Sequence, residues 1–67
     1  MAWIIKRHME TDREILYDTG SGQRWIVPHE TRLLPEVFLT RTEADFEAKV
    51  YKRMMPEWDY EVTEYLR

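Results

Sequence analysis

Pro56-Glu57-Trp58-Asp59-Tyr60-Glu61-Val62-Thr63-Glu64-Tyr65-Leu66 is the stretch on which the fold turns. Large apolar side chains and acids alternate along it. Trp58, Tyr60 and Val62 fall on one face of an extended chain, and Glu57, Asp59, Glu61 and Thr63 on the other. A helix would need an apolar stripe at 3.6-residue spacing, which Trp58, Tyr60 and Val62 do not supply. The pattern therefore predicts a half-buried strand over residues 58–66, with an acidic outer face that Tyr65 shares and Trp58 flanks. A strand of this kind is stable only if something covers its inner face.

The cover is predicted just upstream. Thr42-Glu43-Ala44-Asp45 is similar to a capping box, with Thr40 as an alternative cap. Glu43, Asp45 and Glu47 crowd the first turns, and Lys49, Lys52 and Arg53 the last, an order that complements the helix dipole. Phe46, Val50 and Met54 recur at i, i+4 and i+8, flanked by Tyr51 and Met55. They predict the apolar face that covers the sheet, with Lys49, Lys52 and Arg53 opposite. Pro56 ends the helix.

The rest reads as strands and turns. Residues 2–9, which open Ala2-Trp3-Ile4-Ile5, carry the β-branched and aromatic residues of a strand. Glu10 to Arg13 is a polar turn and Glu14 to Asp18 a second strand. So short a link requires an antiparallel hairpin. Thr19-Gly20-Ser21-Gly22 holds both glycines of the chain and predicts a tight turn. Gln23 to Val27 is a third strand, ended by Pro28. Between Pro28 and Pro35 the pattern suits an irregular crossing segment with Leu33 and Leu34 tucked into the core. Val37-Phe38-Leu39 reads as a short strand or an extended lead-in. The order β-β-β-(β)-α-β predicts one small α+β domain over residues 1–67, an antiparallel sheet of four or five strands with one helix on one face.

Composition narrows the function. The chain has 67 residues and no cysteine, which excludes a disulfide scaffold, a thiolate zinc site and a cysteine nucleophile. Apolar runs are short, far below the ~20 residues of a membrane span or the roughly 7–15 of a secretory signal. The expectation is a soluble protein of the cytoplasm. The formal net charge is −3, and it is localised. Residues 1–33 balance Lys6, Arg7, Arg13, Arg24 and Arg32 against Glu10, Asp12, Glu14, Asp18 and Glu30. Residues 56–67 set Glu57, Asp59, Glu61 and Glu64 against Arg67 alone.

Catalytic and metal chemistry find little footing. His8 and His29 are far apart and lack the spacing of a zinc site. Ser21 is the only serine, and Gly20-Ser21-Gly22 has neither the spacing of a nucleophile elbow nor the lysine of a phosphate loop. Glu57, Asp59 and Glu61 stand roughly 6–7 Å apart along a strand, near the separation glycosidases use. They nevertheless lie on the outer side of a domain too small for a deep cleft. The reading is a non-enzyme with no cofactor and no metal.

Two binding readings follow. In one, Trp3 and Trp25 on a sheet face stack on single-stranded nucleic acid, with Lys6, Arg7, Arg24 and the Lys49-Lys52-Arg53 helix face on phosphates. The negative net charge opposes it. In the other, the acidic strand is a negative ridge that meets a basic partner surface, with Trp58 and Tyr65 as anchors. The plain alternative is a solvated strand face whose charges discourage edge-to-edge aggregation.

The order Trp3-Ile4-Ile5-Lys6-Arg7, Leu16-Tyr17-Asp18-Thr19-Gly20, Arg24-Trp25-Ile26-Val27-Pro28, Phe38-Leu39-Thr40-Arg41-Thr42-Glu43-Ala44 and Tyr60-Glu61-Val62-Thr63 resembles small phage-borne proteins with a few hairpin strands and one helix. Pro56 and Tyr60-Glu61-Val62-Thr63 also resemble the end of the bacteriophage T7 inhibitor of bacterial RNA polymerase. That inhibitor follows the strand with arginines, whereas this chain has Glu64 and Leu66, so its target does not carry over. The resemblance implies a category: small phage or mobile-element proteins, anti-CRISPR proteins among them, that bind and inhibit a host machine. With the acidic strand, the expectation is a chain that docks on a basic surface of a host protein or nucleoprotein complex, Glu57, Asp59, Glu61 and Glu64 supplying charge and Trp58 and Tyr65 acting as neighbouring anchors. A homodimeric antitoxin or assembly protein, built on an exposed edge strand, is the remaining expectation.

Overall fold

The computed structural model describes residues 2–66. Strand β1 (Ala2–Met9) turns into β2 (Asp12–Asp18), and β2 into β3 (Gln23–Ile26). A single 3-10 turn follows at Pro28–Glu30, then helix α1 (Arg41–Met54) and strand β4 (Asp59–Tyr65). The sheet order is β3-β2-β1-β4 with every neighbouring pair antiparallel. This is the α+β fold with four strands and one helix that the alternating stretch and its upstream helix imply. Because β4 returns to pair with β1 on the side away from β2, the acidic strand lies at a sheet edge.

Each connection has a local cause. The β1–β2 link is only Glu10 and Thr11, shorter than the sequence suggests, and Glu10 takes φ 52° to close it. At the β2–β3 turn Gly20 and Gly22 have φ 84° and 136°, the region open to glycine. The Gly20 amide donates to Asp18 Oδ1 at 2.9 Å and the Thr19 hydroxyl to the Gly22 carbonyl at 2.9 Å. Ser21 is an exposed residue of this turn. Thr40, the alternative cap, is the one used: its hydroxyl oxygen accepts from the Glu43 amide at 3.2 Å.

The core lies between helix and sheet. Ile5, Leu16, Phe38 and Ala44 form its buried centre, with Trp3, Trp25, Ala48, Tyr51, Tyr60 and Val62 packed around them. Strand alternation then assigns the faces. Trp3, Ile5 and Arg7 of β1, Tyr60, Val62 and Glu64 of β4, and Trp25 of β3 face the helix. Lys6, His8, Arg13, Asp59, Glu61, Thr63 and Tyr65 face outward.

Two predicted packings are corrected. Phe46 and Met54 do not cover the sheet; they are 64% and 66% exposed. The sheet raises Trp3, Trp25 and Tyr60 toward the helix, so the contact is made by small residues, Ala44 and Ala48, with Tyr51 beyond them. Phe46 is two residues from Ala44, about 200° round the helix, on its far side. Leu33 and Leu34 are likewise exposed rather than tucked in. The segment's core residue is Phe38. It pairs with Trp3, amide to carbonyl both ways at 2.9 and 2.8 Å. Pro35 bridges to Tyr17, so residues 35–38 fill the wedge where β1 and β2 diverge.

Candidate interaction face

The acids of β4 divide between two faces. Asp59 and Glu61 are exposed on the outer face, where Tyr65 is half-buried, and Glu57 lies in the preceding turn. Glu64 belongs to the helix-facing side and pairs across from Trp3. The row predicted from sequence is therefore shorter than four acids. It also has a cationic neighbour: Glu61 lies opposite Lys6, while Asp59 lies opposite His8 in the β1–β4 register. A hollow of about 150 Å³ beside them is lined by Lys6, His8, Arg13 and Glu61 among others. The outer face is thus acidic at its edge and basic one strand inward.

Trp58 is drawn the other way. Its ring lies over the Arg7 guanidinium, 4.0 Å from centroid to Cζ, and Trp25 lies on the same guanidinium at 4.6 Å. Arg7 is 9% exposed. Its Nε donates to Glu14 Oε1 at 2.8 Å, with Nη2 on the same oxygen, and Nη1 is 3.3 Å from Met55 Sδ. A guanidinium taken from water needs this pairing and stacking to offset its desolvation. The outcome is a clamp that ties β1, β2, β3 and the 55–58 turn together and aims β4. Sequence reasoning placed Arg7 on phosphates and Trp58 on a partner. The missed signal was register: Arg7 sits at the same alternation as Ile5, and so points inward.

The tyrosines complete the interior. Trp25 meets Tyr51 and Tyr60 edge-on, with centroids 5.0 and 5.8 Å away. The Tyr60 hydroxyl lies 3.0 Å from the Met55 carbonyl and 3.2 Å from that of Tyr51, either of which can accept its proton. Burial pushes the Tyr60 phenol up, against the lowering effect of Arg7. Burial also raises Tyr51, aided by Glu47 and Glu36. It raises Tyr17 too, aided by Tyr65. Trp25 is thus enclosed by aromatic rings and Arg7, and Trp3 packs against the core, so neither indole offers a stacking platform on the outer face.

A second feature lies between α1 and the free edge of β4. It is a groove of about 450 Å³, lined by Arg41, Asp45, Lys49 and Lys52 on the helix side and by Asp59, Tyr60 and Val62 on the strand side. The Lys52 ammonium donates to the carbonyls of Pro56 and Trp58, both at 2.8 Å. Among the described residues no three His, Cys, Asp or Glu side chains cluster closely enough to hold a metal ion. Among the same residues no helix is long and apolar enough to cross a membrane. Comparison with known protein families, curated proteins and solved structures finds no match.

Proposed function

We propose that the chain is a non-catalytic binding protein of the phage or mobile-element type, which docks on a basic surface of a host protein or nucleoprotein and blocks it. The observation that supports the reading best is the placement of Asp59 and Glu61. Both are exposed, both are on the outer face, and their strand is at the edge of the sheet. An edge can approach a partner without helix or loops in the way, and a negative rim steers it toward positive charge. Glu57 in the adjoining turn extends the charge, and Tyr65 supplies an amphipathic ring at the other end. Trp58, stacked on Arg7, supports the strand from the helix side, the side on which Glu64 also lies.

The test is quantitative. The chain and its Glu57→Lys/Asp59→Lys/Glu61→Lys variant are each immobilised and exposed to bacterial lysate, and captured proteins are measured by mass spectrometry. A specific protein or complex enriched by the parent chain should be lost about tenfold or more with the variant, while circular dichroism shows the fold retained. Equal capture by both removes the acidic face from the function.

A further inference from the structure

The backbone of β4 has a free edge whose limits can be read residue by residue. Trp3 spends both its amide and its carbonyl on Phe38. Its opposite residue in β4, Glu64, is therefore a non-hydrogen-bonded partner, and the amide and carbonyl of Glu64 point away from β1. The alternation repeats every two residues, so Val62 and Tyr60 also point outward. At one end the pattern is closed, because the next outward carbonyl, that of Trp58, is taken by Lys52. At the other end the strand stops at Tyr65. Among the described residues nothing bonds the amides and carbonyls of Tyr60, Val62 and Glu64, six backbone groups that point away from β1.

We propose that this edge pairs antiparallel with the same edge of a second copy, about a two-fold axis through Val62, so that two four-stranded sheets become one. This register sets Val62 against Val62, and Tyr60 against Glu64 on either side, satisfying all six groups. Centring on Glu61 would call on the blocked Trp58, and centring on Thr63 would call on Leu66 beyond the strand. Side chains agree with the choice. On the outer face Asp59 meets Tyr65 and Glu61 meets Thr63, so no like charges stand directly opposite. On the helix side each Glu64 arrives beside the other copy's Tyr60, in the groove where Lys49 and Lys52 stand with Asp59 and with Arg41, itself paired to Asp45, so that cations outnumber acids there. The two Glu61 carboxylates remain diagonal neighbours, about 7–8 Å apart between backbones, which keeps the association weak. The pairing takes up the β4 edge through which the host partner would approach but leaves the outer face of Asp59 and Glu61 uncovered, and it does not rest on the host-partner reading.

Analytical ultracentrifugation of the full chain from micromolar to millimolar concentration, with amide hydrogen exchange, decides it. The expected result is a concentration-dependent dimer in which the amides of Tyr60, Val62 and Glu64 exchange more slowly as concentration rises. Glu64→Lys and Lys49→Glu should each raise the dissociation constant about tenfold, and the two together should restore it. Circular dichroism checks that each variant folds. A chain that stays monomeric to millimolar concentration overturns the proposal, as does a dimer whose protected amides lie elsewhere. Protection of the three amides by an unrelated extended acidic peptide, with no self-association, assigns the edge to a foreign strand and overturns it equally.

Discussion

The Arg7 guanidinium and the Trp58 ring are stacked at 4.0 Å, although one residue lies on the central strand β1 and the other just before the edge strand β4. Arg7 also holds Glu14 on β2, so three parts of the chain converge on one charge. Removing Trp58 opens a nearly buried guanidinium to water on one side.

Trp58→Ala should therefore destabilise the fold by roughly 2 kcal/mol, the scale of a desolvated cation–π contact together with lost burial. Glu14→Gln, which keeps the shape and removes the counter-charge, should cost about 1–2 kcal/mol, below the range for a fully buried pair because Glu14 keeps some solvent access. Urea denaturation measures both. A Trp58→Ala chain as stable as the parent would place the ring's contribution outside the clamp.

Local pattern and register were unequally legible. The alternation over residues 58–66, the glycine turn and a helix that begins at Thr42 or Thr40 and stops at Pro56 are consequences of local chemistry, and the structure has the strand over Asp59–Tyr65 and the helix over Arg41–Met54. The side of the helix that packs is not a local property. Phe46, Val50 and Met54 form a regular stripe, yet the surface beneath the helix is set by Trp3, Trp25 and Tyr60, which come from three different strands. Bulk rising from the sheet selects alanine on the helix. The site was half legible for the same reason. The outward Asp59 and Glu61 and the inward Trp58 follow from alternation alone, whereas the contact that Trp58 makes there, with Arg7, depends on strand pairing, which sets Arg7 opposite Tyr60.

That helix orientation has a direct consequence for mutation. Phe46→Ala should cost under about 1 kcal/mol, because the ring is mostly in water already. Ala44→Leu should cost about 1–3 kcal/mol, because Ala44 is fully buried and the added atoms have no space. Thermal unfolding of the two variants separates this packing from one in which Phe46 faces the sheet, for which the ranking reverses.

The β1–β2 turn carries a different kind of cost. Glu10 has φ 52°, a left-handed conformation that a side chain disfavours by roughly 1 kcal/mol or more. Glu10→Gly removes that cost and adds some unfolded-chain entropy, so the expected gain is about 0.5 kcal/mol. A rise in the urea midpoint with unchanged slope checks it. Glu10→Val, β-branched at the same angle, should lower the midpoint.

The tyrosines set how the fold fails in alkali. Tyr17, Tyr51 and Tyr60 all have phenols raised above their ordinary value of about 10, in each case chiefly by burial. Above that value the unfolded chain releases phenolic protons that the folded chain still holds. Fewer protons are then bound to the unfolded state, so stability falls as pH rises. The contribution is complete below about pH 10 and is lost as pH climbs through the raised folded-state values. A base titration should show tyrosinate absorbance and loss of circular dichroism rising together. Tyr17→Phe should move that midpoint upward, since it deletes one buried ionisation at a site whose burial is apolar in origin. Tyr60→Phe should also remove an ionisation, but it gives up the hydrogen bond to the 51–55 carbonyls and should lower stability at neutral pH. A Tyr17→Phe chain with the parent's alkaline midpoint would show that Tyr17 ionises equally readily in the folded and the unfolded chain.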